Sequence, residues 1–278
     1  MTVNSISGGK TSAYISARYS ADLEIFALVR TSDPSCLYPD RGIRQEVEDR
    51  LQMPFIGTLE DDTIIETIFD LEQYIGREIK WVSGETFDDV ISNKGGYLPN
   101  KVARYCTTYL KTFPIAGYLH EHRLNPVTMR FGFRANEMNR ARTMDSKRNE
   151  NGVVEVKIPV GRHDNGNIKW ETVEYQKPEY PLIEDVIYRD TIEEYWNGKP
   201  VKFAKHNNCV GCWWRPGVML NTLNKKHPNK MEWFAKQEEQ TGNRFKTETT
   251  YRKIIERKLQ IQLFEDDFNE CDSGYCGI

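Results

Sequence analysis

Near its amino end the chain reads Ser7-Gly8-Gly9-Lys10-Thr11-Ser12, which puts two glycines, three hydroxyls and a lysine into six residues. Glycines let backbone N–H groups come close to phosphate oxygens, and a helix starting behind them adds the positive end of its dipole. Two phosphate-binding devices share this chemistry. A Walker A loop ends in Gly-Lys-Thr, but its first glycine would fall on Asn4, after only three residues of strand. The S-G-G-x-[DT]-S loop of enzymes that attack the α-phosphate of ATP lets the strand run to Ile6 and places both glycines at the turn. The spacing fits the second device, and a ligand-free strand–helix turn is the plain alternative.

The second group is sulfur. Of six cysteines, Cys209 and Cys212 form a Cys-Val-Gly-Cys chelating pair, with Cys106 far upstream and Cys271 and Cys276 near the end. Such a pair in a reducing compartment suits zinc, an iron–sulfur cluster or a redox dithiol. Zinc wants four ligands, usually from a second tight pair, and Cys271 and Cys276 are more loosely spaced than that. Cys36 reads as a buried or partly exposed thiol, and His206 as an ordinary loop histidine. A third group, Arg130, Arg134, Arg140 and Arg142, offers guanidinium forks for phosphate. Arg134, just past a strand end, is the first candidate for the nucleotide phosphates.

These residues need a frame. Strands are predicted at Thr2–Ile6, 24–29, 55–57, 80–82 and 127–133. Helices are predicted at 11–19, 42–51, 63–74, 103–120 (interrupted at Pro114) and 183–195. Strands alternating with helices of this length build a parallel sheet covered on both faces. Thr31 and Ser32, just past the second strand, are placed to touch adenosine or simply to turn the chain before Pro34. Between 153 and 175, apolar and polar residues alternate around Asp164-Asn165-Gly166-Asn167, a β-hairpin signature. A lysine-rich helical stretch and a last amphipathic helix (Ile254, Ile255, Lys258, Leu259, Gln262) follow the cysteine pair. The expected architecture is an α/β, doubly wound, mostly parallel sheet over 1–145. A hairpin insertion (146–178) and a helical, cysteine-bearing carboxyl region (179–278) complete it.

Five pieces in order resemble the phosphoadenosine-phosphosulfate reductase family of the PP-loop superfamily: SGGKTS (7–12), RYCTTYLKTFP (104–114), RFGFRANEMNRAR (130–142), YPLIEDVIYRDTIEEY (180–195) and NCVGCWWRP (208–216). The chain is most similar to the branch related to DNA phosphorothioation and to phage-borne homologues. The resemblance implies a [4Fe–4S] cluster on Cys106, Cys209 and Cys212, with zinc the alternative, and Lys111 beside it. It implies nucleotide contacts from Ser7, Gly8, Gly9, Lys10, Thr11 and Ser12. The segment Glu270-Cys271 is similar to the family's catalytic Glu-Cys-Gly tail, so Cys271 and Cys276 become candidates for sulfur delivery, for a further cluster ligand or for an unstructured end. The chain departs from the pattern at Thr11 (commonly Asp), at Tyr105 (where cluster-bearing reductases have a second Cys) and at Ile192 (frequently Trp). The double glycine favours ATP over a sulfonucleotide.

The bulk numbers leave room for this. A chain of 278 residues buries roughly three-quarters of its unfolded surface and needs no disulfides. No apolar run approaches the ~20 residues of a membrane span, and no signal-peptide pattern opens the chain, so a cytoplasmic protein without a membrane partner is expected. The net charge of −3 neither requires nor excludes a nucleic acid. The leading expectation is an ATP α-phosphate-cleaving enzyme that uses Mg²⁺ and activates an acceptor, a nucleic acid among the options, for sulfur from a donor protein or sulfide. The rivals are a sulfonucleotide reductase and a zinc-stabilised, non-catalytic nucleic-acid-binding protein. A homodimer is compatible with all three.

Overall fold

A parallel strand is buried on both faces, so each apolar run must find helices above and below it. The structure, a computed structural model, describes residues 1–257. β1 (Thr2–Ile6) leads through the glycine loop into α1 (Lys10–Arg18) and β2 (Leu23–Ala27). The two-residue β3 (Arg30–Thr31), α2 (Arg41–Leu51), the two-residue β4 (Gly57–Thr58), α3 (Thr63–Ile75), β5 (Ile79–Val82) and α4 (Phe87–Asn93) follow. A short α5 (Tyr105–Thr107) passes through a π-helical turn (Thr108–Thr112) into α6 (Phe113–Glu121). Next come β6 (Val127–Arg130), α7 (Met138–Asp145), and the hairpin β7 (Val154–Arg162) and β8 (Ile168–Glu179). The carboxyl part holds α8 (Pro181–Glu184), α9 (Arg189–Trp196), α10 (Gly217–Lys226), α11 (Pro228–Thr241) and α12 (Tyr251–Glu256).

The main sheet runs β5-β2-β1-β6-β8-β7, parallel throughout except that β7 is antiparallel to β8. Side chains alternate across it. Phe26 packs with Ile6, Ile64 and Trp196 on the face covered by α1, α3 and α9, while Ile25 and Ala27 pack with Ile115, Leu119 and Met129 under α6. The sheet is therefore covered on both faces, compatible with a doubly wound α/β fold. From β1 the chain winds outward to β2 and β5, then returns across β1 to β6. Connections diverge between β1 and β6, and open α/β sheets bind ligands at the carboxyl ends of strands at such a point.

The lysine-rich stretch becomes α10 and α11, which with α12 form a third apolar cluster together with α4, Val29 and Leu59. Three expectations change. The strand expected at 55–57 is the short β4, which pairs antiparallel with β3 outside the main sheet. Pro54, with no N–H to give to a ladder, stands just before this run and keeps it short. The hairpin, turned at 163–167 by paired backbone hydrogen bonds, is continuous with the main sheet, because Gln176–Glu179 of β8 pair in parallel with Val127–Arg130 of β6. Pro114, expected to interrupt a helix, opens α6 instead. It has no N–H for the carbonyl of Leu110, and the wider π turn sits where that bond is missing.

Candidate functional site

The Ser7–Ser12 loop follows β1 directly. Gly8 has φ +78°, and a Cβ there would lie 2.5 Å from Cγ2 of Ile64 at the start of α3, so only glycine fits. Gly9 caps α1 with an extended backbone and no side chain, and no acidic residue enters the first turn. The loop holds its own shape: the Ser7 amide donates to Ser12 Oγ at 3.1 Å, and Ser12 Oγ donates to the Gly9 carbonyl at 3.0 Å. Thr11 and Ser12 are buried. Lys10 turns away, its ammonium paired with Glu193 of α9 and its carbonyl accepting from the Trp196 indole at 2.9 Å.

Beside the loop lies a cavity of ≈ 50 Å³ whose walls include Cys106, Cys209, Cys212, Lys111, Arg104 and Trp213. Cys106 stands on α5, and the Cys209–Cys212 turn closes through the Cys212 amide donating to the Cys209 carbonyl at 3.1 Å. Gly211 is forced at its place, since a Cβ would fall 2.2 Å from the Phe234 ring. Tyr251 donates to the Gly211 carbonyl at 2.7 Å, and Arg215 is buried with its guanidinium on the Asn207 and Cys209 carbonyls. Burial pushes the Cys106 thiol up to about 11, with the charge of Cys212 adding to the rise. Cys209 is also raised well above the ordinary thiol value, first by burial and then by Glu60.

Two residues tie the loop to the cavity. Lys111, in the π turn, lines the thiol cavity and also a small recess formed with Ser5, Ile6 and Ser7. Its ammonium donates to Glu60 Oε1 at 2.9 Å. Burial acts to lower its pKa, but Glu60 and the Cys209 sulfur outweigh that and hold it above the ordinary lysine value. Asn207, two residues before the cysteine turn begins, donates to Ser7 Oγ at 3.4 Å. Neither Glu60 nor Asn207 was visible as a site residue in the sequence. Glu60 reads as one acid of a Glu-Asp-Asp run before a helix, although it is wholly buried, receives the Val29 amide at 3.3 Å and bridges to Cys209 through the backbone.

The other candidates lie elsewhere. The Thr31 hydroxyl donates to Asp88 at 2.7 Å, and the Ser32 amide donates to the same carboxylate at 3.0 Å. The Arg134 guanidinium donates to Glu137 at 3.0 Å, which also receives Arg140 at 2.6 Å. Arg130 braces the Tyr19 and Ser20 carbonyls. Cys271 and Cys276 lie outside the described residues.

Three soft thiols sharing one cavity with a cation match the donor chemistry of an iron–sulfur group, which can leave one iron without a protein thiolate. Cys106, Cys209 and Cys212 are the residues that would hold it. Among the described residues no group of three or more His, Cys, Asp or Glu is arranged so that it could hold a metal ion. No helix among them is long and apolar enough to cross a membrane. No family model, curated protein or solved structure matches this chain.

Proposed function

We propose that this chain cleaves ATP at the α-phosphate, releasing pyrophosphate, to activate an acceptor for sulfur transfer, with an iron–sulfur group on Cys106, Cys209 and Cys212. The observation that supports it is the sharing of Lys111 between the phosphate-loop recess and the thiol cavity. One buried cation then stands between the place where pyrophosphate departs and the place where sulfur waits. In the reaction, an acceptor oxygen bonds to the α-phosphorus as the bond to the β-phosphate bridge breaks. Hydrosulfide then forms a C–S bond on the acceptor while the C–O bond to AMP breaks, and the sulfhydryl proton passes to solvent.

The amides at the start of α1 receive phosphate oxygens along the helix dipole. Gly8 and the Ser7–Ser12 hydrogen bonds keep the loop open for them. Glu60 holds the Lys111 ammonium at its post. Mg²⁺, bound mainly by the triphosphate and water, would neutralise the leaving pyrophosphate. An iron–sulfur group would supply a soft site at which sulfur is bound and positioned.

Anaerobically purified protein tests this reading. About four irons and about four acid-labile sulfides per chain, lost in Cys209→Ala, are expected, together with AMP and pyrophosphate as the products of ATP. One zinc and no sulfide would overturn the sulfur chemistry. ADP and phosphate as products would overturn α-phosphate attack. Sulfite released from a sulfonucleotide without pyrophosphate would establish the reductase instead.

A further inference from the structure

The thiol cavity opens beside an aromatic ridge. Trp170 of β8 meets Phe113 at 5.6 Å between ring centroids, Phe113 meets Tyr109 at 4.8 Å, and Tyr109 meets Tyr105 at 6.1 Å. All four rings are partly exposed. At the cavity end the Arg104 guanidinium lies 5.0 Å from the ring of Trp214 and 5.4 Å from that of Trp213. Trp213 is buried, but the adjoining Trp214 is 51% exposed. The Lys94 ammonium lies 4.3 Å from the Tyr109 ring centre.

Charge singles out the same place. From Lys94 to His120 the chain carries four Lys and Arg and no Asp or Glu; from Asn197 to Met231 it carries seven and again no Asp or Glu. These two segments supply Cys106 and the Cys209–Cys212 turn, and the fold brings them together in a protein whose net charge is −3. Several of the lysines are neutralised by Glu60, Asp61, Asp62 and Glu66. Lys94, which donates to the Tyr109 hydroxyl at 2.7 Å, and Lys101 are both exposed.

We propose that this ridge binds a single-stranded nucleic acid, with one unpaired base stacked on Trp214 and Arg104 at the mouth of the thiol cavity. Flat rings interleaved with cations take bases by their faces and the backbone by its charge, whereas bases within a duplex keep their faces covered. The strand's role as sulfur acceptor rests on the function proposed above; its binding does not.

Fluorescence anisotropy of labelled 12-nucleotide DNA and RNA strands and a matched duplex, titrated with the full chain without ATP, tests the proposal. A single strand should bind at least tenfold more tightly than the duplex. The logarithm of its affinity should fall with the logarithm of salt concentration with a slope of about −1.4, as for two backbone cations, Lys94 and Lys101. The DNA and RNA arms identify which sugar is preferred. Trp214→Ala should weaken binding about tenfold, and Trp214→Phe should retain most of it, with circular dichroism showing both variants folded. Duplex binding equal to single-strand binding, no binding at all, or an unchanged affinity in Trp214→Ala would each overturn the proposal. Strand binding without any pyrophosphate release would uphold it and overturn the catalytic reading alone.

Discussion

The Ser7–Ser12 loop and the thiol cavity share Lys111, yet they are built in opposite ways. The loop satisfies itself, with serine hydroxyls, an amide and a carbonyl closing on one another within six residues. The cavity gathers groups that are costly together: two thiols with raised pKa values and a buried lysine. The Trp213 indole N–H is buried without a hydrogen-bond partner, and it favours the thiolate of Cys106 over the thiol, though burial outweighs it. Buried polar groups left in that condition oppose folding. The contrast teaches that a short loop can close its own polar groups within six residues, whereas thiols and a lysine gathered from distant segments leave some of theirs unanswered.

The largest test of this comparison removes the shared cation. Lys111→Ala leaves Glu60 wholly buried with the Val29 amide at 3.3 Å as its remaining side-chain donor. Stranding one member of a buried pair should cost about 4 kcal/mol in urea unfolding. Lys111→Met combined with Glu60→Gln should recover most of it, because no charge is then left alone. An unchanged midpoint in Lys111→Ala would break the description of Lys111 as the joint between the two regions.

Gly8→Ala addresses the loop by itself. It forces a left-handed φ on alanine and drives a methyl to within 2.5 Å of Ile64. The backbone and overlap contributions together should cost about 3 kcal/mol, with nucleotide affinity falling in parallel. Sulfide and iron content should stay unchanged if the loop is finished independently of the thiols. Loss of both together would merge the two regions into one cooperative unit.

How much of this was legible in the sequence depends on the range of the interactions. Local period and turn chemistry revealed β1, α1, α3 and the hairpin, because each is decided within about ten residues. The run at 55–57 is ambiguous because two apolar residues and a glycine after a proline carry too little signal to separate a central strand from a short outer bridge. Lys10 sits inside a phosphate motif but pairs with Glu193, 183 residues away, and nothing near Lys10 announces that partner. Glu60 and Asn207 are ordinary in type and became site residues only when Lys111 and Ser7 were folded against them. A motif reports which chemistry a segment can do; its neighbours across the fold report whether each side chain is free to do it.

The smallest predicted effect concerns the clasp behind both regions. Asp61, buried at the entry to α3, accepts from Lys226 at 2.8 Å, pairs with His227 at 3.0 Å and accepts the Thr63 amide from its own turn at 3.0 Å. Burial alone would raise its pKa, but these donors outweigh burial and hold it far below the ordinary carboxylate value. Because the folded-state pKa is depressed, the unfolded chain takes up the proton first as pH falls. The contribution of Asp61 is therefore fully present above the unfolded value of about 3.9 and is lost as pH drops below it. At pH 7, Asp61→Asn should lower stability by about 2 kcal/mol, in line with hydrogen bonds to a charged group. The gap to wild type should narrow steadily between about pH 5 and pH 2, measured by urea unfolding at each pH. Since Ile64 of the same turn packs on Gly8 while Lys226 and His227 belong to the helices behind the thiols, acid should loosen the seam between loop and cavity before either one unfolds. A gap that stays constant with pH would mean that Asp61 acts through shape rather than charge, and the seam would then be apolar.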